Sequence, residues 1–481
     1  MKKFVLLWLF LIGTWSSGFS QLTSHVDERF ELTSIAFRLA GAEEYINNQV
    51  VGYVKDIDAY FDKYKEHSLI RYIKEIRTKD EIAYNAVSSS TFLLKIRNNE
   101  VFLNPEADIN TFLKSELRWT AVTLNKYVKL LNQFYKDAKF KTFYNQHKNL
   151  YAEAEKRFDE LLKTIRLEWF QSFYGKPFGN PFIYISLCNG RSNYALLSSF
   201  NKTGSSDYGI IIGCTSIDKE GIPTFITYYD KDGQPYYDRA VLSVIIHEFS
   251  HYFSNPIFFK YCEQEMIGAA NKIFPLVKEQ LAKVAYGSAG DMIGEGLNEL
   301  FSNMYFHDNS SIDQYNVAKD ERYGFIWMSR AVRFMENFSA NRILYPTIED
   351  YMPQLIAFIN SCGDNIEQIV DEYKHKNPYV VNVFPGSNTT VSENIKEIRV
   401  DFSHSMWGLF TINKPTQSNV IYLEIEPASC YWSEDNKTFI IPVMLERGKN
   451  YGLRLSGNGG FQSSETYPMI EDFEILFNTT E

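Results

Sequence analysis

Two histidines and a glutamate stand together in the segment His247-Glu248-Phe249-Ser250-His251. Side chains four residues apart on a helix lie on one face, so both imidazoles can reach a single tetrahedral metal ion. Glu248, at the edge of the same face, can take a proton from a metal-bound water molecule and later deliver it to a leaving group. The spacing therefore predicts a metal-dependent hydrolytic site, with zinc as the metal.

The residues that flank this segment argue against a purely structural role. Val244-Ile245-Ile246 precedes it and Tyr252-Phe253 follows it, which indicates a buried helix. Burying two histidines and a carboxylate together without a metal or another partner is costly. A functional site is therefore favoured over a helix whose histidines only pack.

A catalytic zinc site needs a third protein ligand and an open fourth position for water. The stretch 294–303 predicts an amphipathic helix that carries two carboxylates. We expect Glu299 to be the third ligand, and Glu295, one helical turn earlier, is the alternative. Asn303 lies four residues after Glu299 on the same face, where it could accept a hydrogen bond from a ligand histidine.

Hydrolysis of a peptide bond also needs a hydrogen-bond donor for the developing oxyanion, commonly Tyr, His or Arg. The sequence holds 32 tyrosines, so composition alone does not single one out. Tyr323, downstream of the metal-binding segments, is the expected donor, and His307 is the alternative. The alternative for both Tyr323 and His307 is that they have no catalytic role and only pack against their neighbours.

The elements that must position these residues follow from the periodicity of the sequence. Between residues 27 and 174, apolar side chains recur at spacings of three and four, which predicts a mostly helical front part. The β-branched and aromatic runs 182–187 and 208–213 predict short strands. Asp238 can then cap the helix that carries the histidines. Beyond about residue 380 the pattern alternates, as in strands.

This organisation predicts an α+β protein, in which a mostly helical domain with a small sheet precedes an all-β domain. The expected boundaries are 1–20 for a signal peptide, 21–379 for the domain with the metal site and 380–481 for the all-β domain. Within the first domain, 27–174 is the helical part and 180–375 holds the sheet and the active-site helices.

Composition and the amino terminus restrict partners and location. The chain has 481 residues, 49 of them basic and 59 acidic, with a net charge of -10 and no long Lys or Arg run, so nucleic acid is not an expected partner. Met1-Lys2-Lys3, the apolar run Phe4 to Ile12 and the small or polar residues that follow are typical of a secretory signal cleaved near Ser20. The run is shorter than the roughly 20 residues of a membrane-spanning helix. We therefore expect a mature chain without a transmembrane span that is secreted or periplasmic, with cell-surface association as a further option.

The metal-binding segments resemble the gluzincin branch of zinc metallopeptidases, in which HExxH is completed by a glutamate on a downstream helix. Asn298-Glu299, with Asn303 four residues later, looks like that pattern. The branch usually has Asp at the position of Asn303. The Asn303 side chain is uncharged, so it would orient a ligand histidine more weakly than Asp does. The resemblance implies a zincin-like fold and one zinc ion per chain.

A second resemblance covers roughly residues 25 to 375. It is to a family of uncharacterised secreted bacterial proteins that share a domain of unknown function, and their Asn-Glu motif matches Asn298-Glu299. The residues that carry it are 27–32, 37–41, 247–256 and 285–287. It implies a metallopeptidase-like fold and names no substrate.

The tail resembles a bacterial Ig-like domain. The segments 384–387 and 398–406 look like its opening turn and strand, and 445–451 looks like a late turn and strand. The resemblance implies an Ig-like β-sandwich over 380–481 that serves in spacing or adhesion.

We therefore expect a secreted zinc-dependent metallopeptidase that acts on a peptide or protein. Zinc would be held by His247, His251 and Glu299, and Glu248 would serve as general base and then acid. One alternative is a non-catalytic protein that binds a surface polymer on a protease-like fold. Another is a zinc hydrolase of non-peptide amides, such as a cell-wall link.

Overall fold

The structure is a computed structural model, and the part that it describes begins at residue 22. The described residues are 22–47, 50–177, 179, 181–198, 207–309, 314–457 and 459–481. The predicted signal peptide, 1–20, lies outside them. The chain divides into two compact units, 1–252 and 253–481. Among the described helices, none is long and apolar enough to cross a membrane.

The first unit opens with helices, as the sequence predicts. They are Glu28–Leu39 (α1), Glu43–Ile46 (α2), Val51–Phe61 (α3), Ser68–Lys79 (α4), Asn85–Phe92 (α5), Ile109–Ser115 (α6), Ala121–Asp137 (α7), Phe140–Gln146 (α8), Lys148–Leu162 (α9) and Leu167–Tyr174 (α10). In α7 the Thr120 hydroxyl accepts a hydrogen bond from Thr123 N at the first turn. Its buried side chains recur every three or four residues, which is the stripe expected of a helix that packs on one face: Leu124, Tyr127, Val128, Leu131, Phe134 and Tyr135.

A hairpin that the sequence pattern did not reveal interrupts these helices. Leu94–Arg97 (β2) pairs antiparallel with Glu100–Leu103 (β3). Asn98 and Asn99, which form the two-residue turn, have φ angles of 53° and 58°. Positive φ at both central positions matches the right-handed twist of a hairpin, and Asn tolerates it.

A small sheet forms the centre of the first unit. Its strands are Ser24–His25 (β1), Phe182–Ser186 (β4), Tyr194–Ser198 (β5) and Asp207–Gly213 (β6). They lie in the order β1-β4-β6-β5, with β5 antiparallel to β6 and the other pairs parallel. The predicted runs 182–187 and 208–213 thus lie side by side. A hairpin of Ile226–Tyr229 (β7) and Pro235–Tyr237 (β8) follows.

Glu31 on α1 holds the helix to this sheet. Its side chain is fully buried and accepts hydrogen bonds from Ser186 Oγ at 2.6 Å, Leu187 N at 2.9 Å and the Tyr53 hydroxyl at 2.8 Å. Burial raises the pKa of Glu31, although these three hydrogen bonds act in the opposite direction. The carboxylate therefore ties the end of β4 to two helices.

The helix Arg239–Ile257 (α11) carries the two histidines. The Asp238 carboxylate caps it, as predicted, by accepting a hydrogen bond from Ala240 N at 2.8 Å. Pro256 lies inside its last turn, and a π-helical segment, Phe258–Cys262, follows. A proline removes one backbone donor, and π-turns widen a helix at such interruptions.

Helices make up the first part of the second unit. They are Glu263–Glu265 (α12), Ile267–Ala282 (α13), Ala289–Asn309 (α14), Gln314–Arg322 (α15), Met328–Ala340 (α16), Ile348–Asp364 (α17) and Ile366–Lys376 (α18). α14 was expected to be amphipathic, but from Met292 to Phe306 it is buried on nearly every side. It packs against α13 and α16, so it is a central helix of this unit.

Strands form the rest of the second unit. They are Val380–Phe384 (β9), Thr389–Val391 (β10), Glu397–Phe402 (β11), Ile412–Asn413 (β12), Ile421–Tyr422 (β13), Tyr431–Trp432 (β14), Thr438–Pro442 (β15), Asn450–Leu455 (β16) and Phe473–Thr479 (β17). One sheet has the order β14-β15-β11-β9 and the other β10-β17-β16-β12, with β13 also paired to β16. Residues of both sheets share one apolar core that includes Val400, Phe439, Leu453 and Phe477. Helices before residue 377 and strands after 379 confirm the predicted α+β class.

A buried carboxylate, Glu321, joins two helices of the second unit to its β part. Glu321 on α15 is fully buried and lies 2.7 Å from the Lys376 ammonium. The Tyr467 hydroxyl, from the β part, donates a hydrogen bond to the same carboxylate at 2.5 Å. A buried charge that lost these partners would be strongly destabilising.

Candidate metal centre

The two histidines of α11 face each other. Their Nε2 atoms are 3.1 Å apart, and their rings are nearly perpendicular, at 89°. Two nitrogens that bind one zinc ion at 2.0–2.1 Å with tetrahedral angles would lie about 3.3 Å apart. The observed separation of the two nitrogens is therefore close to that of a zinc ligand pair.

Glu248 lies between them in sequence and is buried, with 7 % of its surface exposed. Burial, and then the charge of Glu248, raise the pKa of the Tyr208 hydroxyl well above its usual value. Tyr208, on β6, is buried, and its hydroxyl has no hydrogen-bond partner among the described residues. The Tyr208 hydroxyl is therefore neutral and lies near Glu248, the expected general base. It can donate a hydrogen bond to another molecule. Tyr208 was not a candidate from the sequence alone, because it lies in a strand well before the histidines along the chain.

On α14, Glu295 stands between two glycines. A Cβ on Gly296 would lie only 2.7 Å from the ring of Trp327, so only glycine allows this close packing. On the other side, the Phe258 ring lies 3.8 Å from the position of a Cβ on Gly294. Aromatic side chains thus pack against the helix on both sides of Glu295.

Tyr286 orients the Glu295 carboxylate. Its hydroxyl donates a hydrogen bond to Glu295 Oε2 at 3.1 Å. Tyr286 is placed by the turn that ends α13, where Ala285 has a φ of 65° and Tyr286 N bonds to Leu281 O at 3.0 Å. This turn has the geometry of a Schellman motif, which usually has glycine where Ala285 stands. Tyr286 was not a candidate site residue from the sequence alone, because its contact with Glu295 depends on how this turn folds.

The end of α11 is fixed to α14 within the second unit. The Ser254 hydroxyl donates a hydrogen bond to Asn298 Oδ1 at 2.6 Å, and both residues are buried. Ser254 is one turn beyond His251, and Asn298 is one turn beyond Glu295, so each pair shares a face of its helix.

Among the described residues, one group of three side chains could hold a metal ion. One ligand atom from each of His247, His251 and Glu295 lies within 4.8 Å of the others, and all three residues are partly exposed. Two imidazoles and one carboxylate form one of the ligand sets found in catalytic zinc sites, which also keep one position open for water. The donor set therefore fits zinc. It contains the alternative third ligand, Glu295, and does not include Glu299.

Glu299 belongs to a second cluster of buried charges. Its Oε1 atom is 3.9 Å from the Lys319 ammonium, which is also 3.3 Å from Asp320 Oδ1. Burial, together with the charge of Glu299, raises the pKa of Asp320 to about 7. Asn303, the predicted orienting residue, donates hydrogen bonds to Glu299 O at 3.0 Å and to Asp320 Oδ2 at 2.7 Å. An ammonium beside Glu299 competes with any metal ion for its carboxylate.

The two predicted oxyanion donors both belong to the second unit. Tyr323 follows α15 and is 38 % exposed, with its ring 6.0 Å from the Lys319 ammonium. His307, near the end of α14, has its Nδ1 atom 2.9 Å from Asp308 Oδ1. The catalytic roles of Tyr323 and His307 stay predictions.

Comparison with known proteins gives a family but no activity. No curated protein matches the chain. Two solved structures of surface-layer proteins, "rSbsC(31-844)" and "SbsC, domains 1-6", are 13% identical to it, and each has a TM-score of 0.17, which is too low to indicate a shared fold. They cover 49% and 53% of this chain, which spans only 33% and 36% of their lengths. A family model described as "Domain of unknown function (DUF4932)" matches residues 20–358, and the chain therefore belongs to that family.

Proposed function

We propose that this chain is a secreted zinc-dependent hydrolase of peptide bonds whose metal is held by His247, His251 and Glu295. The observation that carries the proposal is the approach of their ligand atoms to within 4.8 Å of one another. Partial exposure of all three residues supports a site that substrate can reach rather than a closed structural site. This choice of Glu295 replaces our sequence-based preference for Glu299.

Zinc bound at this site would act as a Lewis acid, lowering the pKa of a water molecule and polarising a carbonyl group. Glu248 lies next to His247 on the same helix and accepts the proton of the attacking water, then delivers it to the leaving amine. The Tyr208 hydroxyl, which stays protonated at neutral pH, donates a hydrogen bond to the carbonyl oxygen as negative charge develops on it.

The remaining parts fit an extracellular role in this proposal. The amino-terminal segment would direct export and be removed. The two-sheet part of the second unit would be an Ig-like module that spaces the enzyme or attaches it to a surface. In this proposal the Ig-like module has no catalytic role, and the metal site lies on α11 and α14.

Metal content tests the site directly. We would measure zinc by elemental analysis in the purified wild-type protein and in three variants, His251→Ala, Glu295→Ala and Glu299→Ala. We expect about one zinc per wild-type chain, loss of zinc in the first two variants and retention in Glu299→Ala. Circular dichroism of each variant would show whether it is still folded.

The outcome decides between the ligands as well as the function. Zinc that survives Glu295→Ala but is lost in folded Glu299→Ala would restore Glu299 as the third ligand. A wild-type protein that binds no zinc, even after reconstitution, would overturn the proposal.

The reaction class needs a separate test. A screen of peptides beside cell-wall fragments would compare the wild-type protein with Glu248→Gln, which keeps the side chain's shape but removes the base. We expect peptide cleavage that the variant lacks. Cleavage of cell-wall fragments alone would reassign the substrate class.

A further inference from the structure

A cavity of about 670 Å³ opens beside Glu295 within the second unit. This volume is in the range of sites that bind small molecules or a substrate segment. Glu295 is part of its lining. Whatever occupies the cavity therefore lies next to a proposed metal ligand.

Apolar side chains make one wall of the cavity. Phe258 and Phe259 come from the π-helical segment after α11, and Ile267 comes from the start of α13. Phe259 is 67 % exposed and Ile267 is 37 % exposed. Exposed aromatic and aliphatic side chains in a concave surface are typical of a site that holds the apolar stem of a ligand.

The lining of the cavity also contains acidic side chains. Asp291, one turn before Glu295 on α14, lines the cavity and is exposed. Its Oδ2 atom accepts a hydrogen bond from Gly287 N at 3.2 Å, and its Oδ1 atom has no partner among the described residues. The described lining has two carboxylates and no Lys or Arg. Metal binding would neutralise Glu295, but the charge of Asp291 would remain.

We propose that this cavity binds a lysine or arginine side chain next to the scissile bond of the substrate. The inference rests on the proposed function and adds its substrate class. The methylene stem of such a side chain packs on Phe258 and Phe259, and its cationic end pairs with Asp291. Basic residues combine an apolar stem with a cationic end, which match the apolar and acidic side chains of the lining.

Binding can be measured without turnover. The probes are fluorescein-labelled peptides Ala-Ala-X-Ala-Ala, in which X is arginine, lysine, norleucine or glutamate. Fluorescence anisotropy would give their affinities for the full chain carrying Glu248→Gln, with and without added zinc. We expect the basic peptides to bind about fivefold more tightly than the norleucine peptide, and the glutamate peptide most weakly. The preference should weaken at high salt, because the charge pair is partly exposed.

A second substitution assigns the preference to one residue. Asp291→Asn, added to Glu248→Gln, should bring the affinity for the arginine peptide down to that for norleucine. Asp371→Asn, which removes an exposed aspartate of α18, is the matched control and should leave the preference intact. Equal affinity for arginine and norleucine, or a preference that survives Asp291→Asn, would overturn the inference. A protein that prefers basic peptides but neither binds zinc nor cleaves them would instead contradict the proposed function.

Discussion

The Tyr286 hydroxyl donates a hydrogen bond to Glu295 Oε2 at 3.1 Å, across the turn that joins α13 to α14. Groups that hydrogen-bond a metal ligand fix its orientation, and their loss typically lowers metal affinity 10- to 100-fold. The contact thus gives Tyr286 a positioning role in the proposed site.

We expect Tyr286→Phe to weaken zinc affinity by roughly 10-fold, because the carboxylate loses this donor but keeps its packing. Competition with a chromophoric chelator would measure the affinity. Tyr228→Phe, on the exposed hairpin β7–β8, is the control and should bind zinc like the wild type. Equal affinities in all three proteins would leave Tyr286 with only a structural role.

Tyr208→Phe should separate activity from stability. Removing a buried hydroxyl without a protein partner should leave the free energy of unfolding unchanged or raise it by about 1 kcal/mol. If Tyr208 donates to the developing oxyanion, kcat should fall about 100-fold while zinc content stays constant. Urea denaturation and peptide hydrolysis would measure the two effects. A variant with normal kcat would return this role to the residues predicted from sequence, and Tyr323→Phe would be examined next.

The two glycines beside Glu295 should respond differently to the same substitution. Gly296→Ala places a methyl group 2.7 Å from Trp327, so overpacking should lower the free energy of unfolding by about 1–3 kcal/mol. Gly294→Ala meets only an ordinary contact at 3.8 Å, and the better helix propensity of alanine should leave stability unchanged or up to about 1 kcal/mol higher. Chemical denaturation of both variants would check this. Equal stabilities would mean that Trp327 moves aside without cost.

Glu31 should give the first unit a pH-dependent stability. Its pKa is raised in the folded state by burial, so the folded protein binds the proton more tightly than the unfolded chain. The contribution of Glu31 to stability is therefore fully present below the pKa of the unfolded chain, 4.5, and is lost as pH rises through the folded value. The difference in stability between Glu31→Gln and the wild type should accordingly shift in favour of the variant as pH rises from about 4. Denaturation measured at several pH values would test this.

The alanine variant at the same position probes the hydrogen bonds themselves. Glu31→Ala leaves Ser186 Oγ, Leu187 N and the Tyr53 hydroxyl without their shared acceptor, and should cost about 3 kcal/mol. The glutamine variant keeps an acceptor and should cost less. If both variants lose the same stability, the hydrogen bonds are not what holds α1 to the sheet.

The sequence by itself determined the features that depend on local geometry. Two histidines four residues apart must share one face of a helix, whatever the helix packs against. The Asp238 cap, the runs that became β4 and β6, and the change to strands near residue 380 are also encoded in short stretches of the chain. The hairpin β2–β3 was not predicted, because its asparagine turn and charged strands give only a weak sequence pattern.

Only the tertiary structure decided which glutamate lies with the histidines. Glu295 and Glu299 are one turn apart on the same face of α14, so their spacing cannot separate them. The two glutamates differ in what packs around them. Gly294 and Gly296 allow aromatic rings to pack beside Glu295, whereas the ammonium of Lys319 on α15 lies beside Glu299. The roles proposed for Tyr286 and Tyr208 likewise depend on a turn and a strand, whose positions the HExxH motif does not fix. Contacts of this kind depend on how elements pack together, and a single sequence contains no periodic signal for them.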